Sequence, residues 1–203
     1  MRNNSTINIS NIKQSIMVKD LQGANKLGVV AMPYLGIYLP IYDKPYDQYA
    51  LTKGANRLKP VDQNQNVLTA NIWSGNLMLV AHNYTDGTTM FSALQQNTGQ
   101  VEPYIIAGNV QKNYWLKGRE AYVATEDFVC KYTIEYQKVV SEYDISIRKD
   151  TPNSIIQIIT CLEPKDDMRI ITVGNLTKKY TWDEIPFDVA KYFDNEIYPF
   201  NVR

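Results

Sequence analysis

Histidine is almost absent from this chain of 203 residues: His82 is the only one. Any imidazole chemistry must use it, and a histidine metal cluster cannot form. Cysteine is nearly as scarce. Cys130 and Cys161 are too few for a disulfide framework or a cysteine zinc site, and leave either one bridge or two free thiols. Net charge is missing too, with Lys+Arg and Asp+Glu at 21 each, so no overall field recruits nucleic acid or anionic lipid. No run of eighteen apolar residues offers a membrane span, and the opening MRNNSTINIS lacks the apolar stretch of a signal peptide. Repeats and low-complexity linkers are also lacking. What remains, 44% hydrophobic and 21% charged, is the composition of an ordinary globular domain.

The pattern along the chain is of many short strands. Residues 1–26 are polar with Ile9, Ile12, Ile16 and Met17 at helical spacing, which predicts a surface helical segment. LGVVAMPY and IYLPIY, broken by Pro33, Gly36 and Pro40, read as two strands with a tight turn, followed by a helical turn near Tyr46–Leu51. NLMLVAH is an apolar strand ending on His82, and TTMFSALQQN reads as a short helix with Met90, Phe91 and Leu94 inward. REAYVAT, DFVCKYTIEYQKVV and YDISIRKD follow as strands of a meander. SIIQIITC is nearly all apolar, as in a strand buried on both faces, and RIITVGNL returns from it. This predicts an all-β barrel or sandwich over residues 27–176. In residues 177–203, Thr181 and Glu184 form a capping pattern ahead of Ile185, Val189, Tyr192 and Phe193, predicting a C-terminal helical extension whose aromatics, Trp182, Phe187 and Phe200 included, pack on the barrel.

Three chemically capable residues stand at strand ends. His82 closes one strand, Cys161 closes another, and Arg169 opens the next, eight residues after Cys161 across a hairpin-length loop. A thiolate is the attacking species of a cysteine enzyme, and a neighbouring cation favours it. An imidazole can protonate a leaving amine and later take a proton from an incoming nucleophile. A guanidinium can stabilise an oxyanion. Taken singly, none of the three is specific: a cysteine ending an apolar strand is most often a small core hydrophobe. A non-catalytic β-barrel binding module with Cys161 merely buried therefore stays open. Cys130, inside FVCKYTIEY, reads as a structural strand residue.

The segments LMLVAHNY, MFSAL, IIQIITC and MRIITVG resemble, in order and context, the class A sortases, cysteine transpeptidases of Gram-positive bacteria. GANRLKP adds a further similarity, and the resemblance spans roughly Leu27–Leu176. It implies an eight-stranded sortase-type β-barrel with short peripheral helices. It also implies a catalytic trio of Cys161, His82 and Arg169, and a peptide groove lined by Val80, Ala81, Gln157, Ile159 and Thr160. The implied reaction is cleavage of an LPxTG-like sorting signal between Thr and Gly, then transfer of the acyl group to a cell-wall precursor amine, which anchors surface proteins. The implied location is the extracytoplasmic face of the membrane, through an N-terminal anchor not seen in these residues. A pilin-polymerising sortase using a Lys amine is the alternative within the family. No cofactor is implied. Some sortases bind calcium through loop carboxylates, but VDQNQN carries only one, and Asp166 and Asp167 read as solvated turn residues. The sequence departs from the family at Gln157, where its T-L-x-T-C motif begins with Thr, at Ile158 in place of Leu, and at Ala81, where Gly is frequent.

Overall fold

Gly36, at φ +66°, reverses the chain after Pro33–Leu35, a left-handed position that glycine occupies without steric cost. The strands on either side, β1 (Lys26–Met32) and β2 (Ile37–Tyr42), pair antiparallel in the computed structural model, which describes residues 7–18, 21–69 and 71–194. The remaining strands are β3 (Ala55–Leu58), β4 (Asn76–Val80), β5 (Ile105–Ile106), β6 (Asn109–Val110), β7 (Glu120–Ala124), β8 (Phe128–Ser141), β9 (Ile155–Leu162) and β10 (Lys165–Thr181). Eight of them close into a barrel in the order β1-β2-β3-β4-β9-β10-β8-β7, while β5 and β6 form a separate hairpin. Most neighbours are antiparallel, but β4 runs parallel to β9 and β2 parallel to β3. This is the eight-stranded barrel that the family resemblance implies, and it settles the choice between barrel and sandwich that the strand pattern leaves open.

Side chains alternate across the barrel wall with the period of two that strands impose. Leu77, Leu79 and Ala81 join Ile156 and Ile158 in the interior core, whereas Met78, Ile159, Ile171 and Val173 form a second apolar cluster on the outer face. The continuous apolar run of β9 is thereby explained, since both of its faces are covered. One end of the barrel is plugged by the segment before β7: Tyr104 is fully buried and donates to Leu94 O (3.1 Å) and Gln137 Oε1 (3.0 Å).

Helices are few. The predicted N-terminal helix is α1 (Ile9–Met17), capped by Asn8, with Ile12 and Ile16 buried against Val29, Ala31 and Tyr122. The helical turn is α2 (Gln48–Leu51), and TTMFSALQQN contributes only a single 3-10 turn at Ser92–Leu94. Two expectations are corrected. YDISIRKD is not a strand but a 3-10 turn, Ile145–Arg148, because the Asp144 side chain accepts from Ser146 N–H and caps it. Among the described residues of the C-terminal region the helix is limited to α3 (Phe187–Ala190) and a 3-10 turn at Lys191–Phe193, because Pro186 stops a helix from running on from Thr181. β10 continues to Thr181, five residues past the boundary drawn at Leu176, still paired with β8. Trp182 and Phe193 bury against the barrel while Phe187 is 60% exposed. Phe200 and the rest of 195–203 lie outside the described residues.

Candidate active site

β9 is flanked by β4 on one side and β10 on the other, so one strand brings both sides of the site to Cys161. Arg169 is the direct cross-strand partner of Cys161. On the β4 side, Val80 pairs with Ile159, Ala81 N–H donates to Ile159 O (3.2 Å), and Asn83 Nδ2 donates to Cys161 O (2.9 Å). His82 thus leaves the barrel wall alongside Cys161. Parity within the strands places Cys161 with Ile159, and Arg169 with Ile171 and Val173, on the outer side, and His82 stands two residues beyond Val80, which packs against the same cluster. The three residues therefore crown one apolar floor made of Met78, Ile159, Ile171 and Val173, with Leu58, Val80, Tyr136, Val140 and Ile147 packed around it.

Cys161 is half-buried and free, as is the buried Cys130. Burial pushes the Cys161 thiol above its ordinary value; Arg169 opposes that shift, and the carboxylates of Glu163, Asp166 and Glu142 add to it. Cys130 sits in the barrel core, and burial pushes its thiol up to about 11. It cannot supply a thiolate near neutrality.

Arg169 is held from several directions. Its Nη1 donates to Asp166 O and to Met168 O (3.0 Å), and its Nη2 donates to the Glu142 carboxylate at 2.8 Å. His82 is half-buried, its carbonyl accepts from Phe91 N–H (3.1 Å), and its ring lies 5.6 Å from that of Tyr84.

Beneath this face runs an amide network that sequence reasoning missed. Asn83 Nδ2 donates to Gln95 Oε1 at 2.6 Å as well as to Cys161 O. Gln95, 3% exposed, also accepts from Glu163 N–H (3.0 Å) and donates to Glu163 O (2.6 Å). The backbone from Cys161 O to Glu163 is thereby clamped to the segment that follows His82. Glu142 was missed as well. Neither side chain carries a local signal, because their partners are 68 and 27 residues away.

The five residues named as groove-lining separate by face. Val80 and Ile159 belong to the outer floor. Ala81 lies in the interior core, and Thr160, 2% exposed, donates its hydroxyl to Ala81 O (2.9 Å). Both contact the barrel interior rather than the floor. Gln157 is on the outer face but 5% exposed, because its Nε2 donates to Asn76 Oδ1 and to Ile147 O, each at 2.8 Å. It anchors the 3-10 turn that borders the floor. The single carboxylate of VDQNQN, Asp62, is taken up by its own loop: it accepts from Asn64 N–H, Asn66 N–H and Asn66 Nδ2. Among the described residues no group of three or more His, Cys, Asp or Glu side chains could hold a metal ion.

A family model described as the sortase domain matches residues 30–177. Solved structures with the same fold include sortase A of Listeria monocytogenes (20% identity, TM-score 0.60), covering 86% of this chain and 97% of that one. A pilus-related sortase C of Group B Streptococcus (21% identity, TM-score 0.56) covers 92% of this chain and 78% of that one. Sortase C-1 of Actinomyces oris (22% identity, TM-score 0.54) covers 74% and 73%. No curated protein matches. At these identities the structural likeness speaks for the fold alone.

Proposed function

The chain belongs to the sortase family and is a transpeptidase acting on proteins that carry sorting signals; from that membership we propose that its signal resembles LPxTG and that Cys161, His82 and Arg169 do the chemistry. The observation that carries this reading is that Cys161 on β9 and Arg169 on β10 are direct cross-strand partners, with His82 just beyond the end of β4, the strand on the other side of β9. The Cys161 thiolate attacks the Thr carbonyl, forming the S–C bond and an oxyanion that Arg169 stabilises. The C–N bond then breaks as His82 protonates the departing Gly amine, leaving a thioester on Cys161. An amino group attacks that thioester, His82 takes its proton, and the new amide leaves with Cys161 restored. No step needs a metal or cofactor.

The acceptor we propose is a cell-wall precursor amine, so that the product is an anchored surface protein. The site of action is the extracytoplasmic membrane surface, with anchoring by a segment outside the described residues; among these, no helix is long and apolar enough to cross a membrane. A second reading, transfer to a pilin Lys amine, draws on the likeness to the pilus-related sortase C.

The test is incubation with LPxTG-like peptides and an amine, followed by mass spectrometry for an acyl adduct on Cys161. Arg169→Ala is expected to lower turnover by about two to three orders of magnitude, as loss of one oxyanion donor does. Near-normal turnover would remove that role. A cell-wall amine and a lysine-bearing pilin offered together decide between the two acceptors.

A further inference from the structure

β8 ends at Ser141, opposite Met168, and the next residue, Glu142, turns toward the connection between β9 and β10. Its N–H donates to Asp167 O (2.9 Å), and its carboxylate receives the Arg169 guanidinium. Both charged side chains are partly exposed, at 25% and 32%, so the pair contributes little to folding stability. Its consequence is geometric. Nη1 of Arg169 spends both hydrogens on the carbonyls of Asp166 and Met168, and Nη2 spends one on Glu142. Nε–H and the second Nη2–H make no bond among the described residues. Glu163 stands in the turn and Asp166 and Asp167 at the start of β10, so several carboxylates compete for a long cationic side chain that has many rotamers. Glu142 approaches from the end of β8, apart from all three, and a bond to it settles on which side the guanidinium rests.

We propose that Glu142 is a positioning residue of the transpeptidation: its carboxylate fixes the Arg169 guanidinium beside Cys161 and leaves two N–H groups for the developing oxyanion. The inference rests on the reading of Cys161 as nucleophile and Arg169 as oxyanion donor. Glu142 touches neither peptide nor thiol in this role; it acts through Arg169. It also has an opposing electrostatic effect. The charged and titratable groups around Cys161 are Arg169 and Asp166 from β10, Glu163 from the turn, Glu142 from the end of β8 and His82 from beyond the end of β4, and the Glu142 carboxylate disfavours the thiolate.

The experiment combines turnover of an LPxTG-like peptide with the pH profile of Cys161 alkylation by iodoacetamide, in wild type, Glu142→Ala, Glu142→Gln, Arg169→Ala and the Glu142→Ala/Arg169→Ala double variant. Glu142→Ala is expected to lower kcat about tenfold with KM within about twofold, because only the transition-state contact is misplaced. In the Arg169→Ala background the same change should add no further loss, since the two residues act as one unit. Glu142→Gln keeps an oxygen acceptor for Nη2 and removes the charge. It is therefore expected to retain kcat within about threefold and to move the alkylation midpoint downward. Turnover of Glu142→Ala within about twofold of wild type, or an equal loss in both backgrounds, overturns the inference. So does an unmoved midpoint in Glu142→Gln. A wild-type protein that forms no acyl adduct on Cys161 instead removes the underlying reading of the site.

Discussion

Replacing Gln95 by Leu tests the clamp beneath the candidate nucleophile, because the two side chains are close in size and only one is polar. The Gln95 amide makes five hydrogen bonds. Of the three partner carbonyls, two belong to Asn97 and Gln100, both exposed, and water can replace the lost bonds there. The serious losses are a Glu163 N–H left without its acceptor and an Asn83 amide left with one unpaired hydrogen, its bond to Cys161 O remaining. An unpaired buried polar group costs about 1–3 kcal/mol, so the two together cost about 3 kcal/mol after partial relaxation. For a domain of this size each kcal/mol moves the melting temperature by about 2–4 °C, giving an expected fall of about 6–12 °C. Calorimetry at neutral pH measures it. Acyl-adduct formation should slow as well, since Asn83 holds Cys161 O and loses its own anchor. Gln137→Leu is the matched control. Gln137 is fully buried and bonded to Tyr104, Trp115, Leu94 and Thr172, at no point touching the backbone around Cys161. It should cost similar stability and spare the adduct rate within about threefold. A melting shift below about 3 °C for Gln95→Leu, or equal slowing in both variants, would show that the clamp does not hold the nucleophile.

Thiol labelling separates the two cysteines: iodoacetamide on the native protein is expected to modify Cys161 and leave Cys130 untouched, as peptide mapping would report. Burial raises the Cys130 thiol from 9.0 to about 11, so the native state binds that proton more tightly than the unfolded chain does. Stability should therefore fall as pH rises through this window, and denaturant titrations of Cys130→Ala should show a shallower decline. Gln157→Leu breaks the bonds to Asn76 and Ile147 O, so amide exchange over 145–149 should quicken, and peptide KM should change more than kcat. Turnover is expected to be equal in EDTA and in added calcium, because the Asp62 carboxylate is already occupied within its loop.

Much of the barrel was legible because strands write their burial into sequence with a period of two, or as unbroken apolar runs where both faces are covered. The turn at Ile145–Arg148 was misread for a physical reason. ISIR alternates like a strand, but its carbonyls are claimed by distant side chains: Ile147 O accepts from both Asn76 and Gln157, and Lys149 O from Asn76. Tertiary bonds override a local pattern here, and no window of sequence contains them. The C-terminal helix starts later than expected on a signal that was present, since Pro186 stands in the middle of the predicted run. The site followed the same division. Cys161, His82 and Arg169 announce themselves by type and by their position at strand ends. Ala81 and Thr160 could have been separated from Val80 and Ile159 by counting in twos from Cys161. Asn83, Gln95 and Glu142 could not, because each gains its importance from a partner far along the chain.

The same counting shows why Glu142 and the turn belong in one account. Leu162 pairs with Lys165, and a regular hairpin extended from that pair would set Asp166 opposite Cys161 and Arg169 opposite Ile158. Ile158 faces the interior core, so Arg169 would point into the barrel. The observed pairing is Arg169 with Cys161, and the register shifts between Lys165 and Arg169 to reach it. Residues 166–168 are thus extra on β10, and an odd number of extra residues turns every following side chain to the opposite face. This bulge is what brings the guanidinium to the thiol. Its carbonyls at Asp166 and Met168 accept from Arg169, and its carbonyl at Asp167 accepts from Glu142 N–H. Glu142 therefore holds the bulge through its backbone and the guanidinium through its carboxylate. Substitutions at the side chain test the second bond while leaving the first intact.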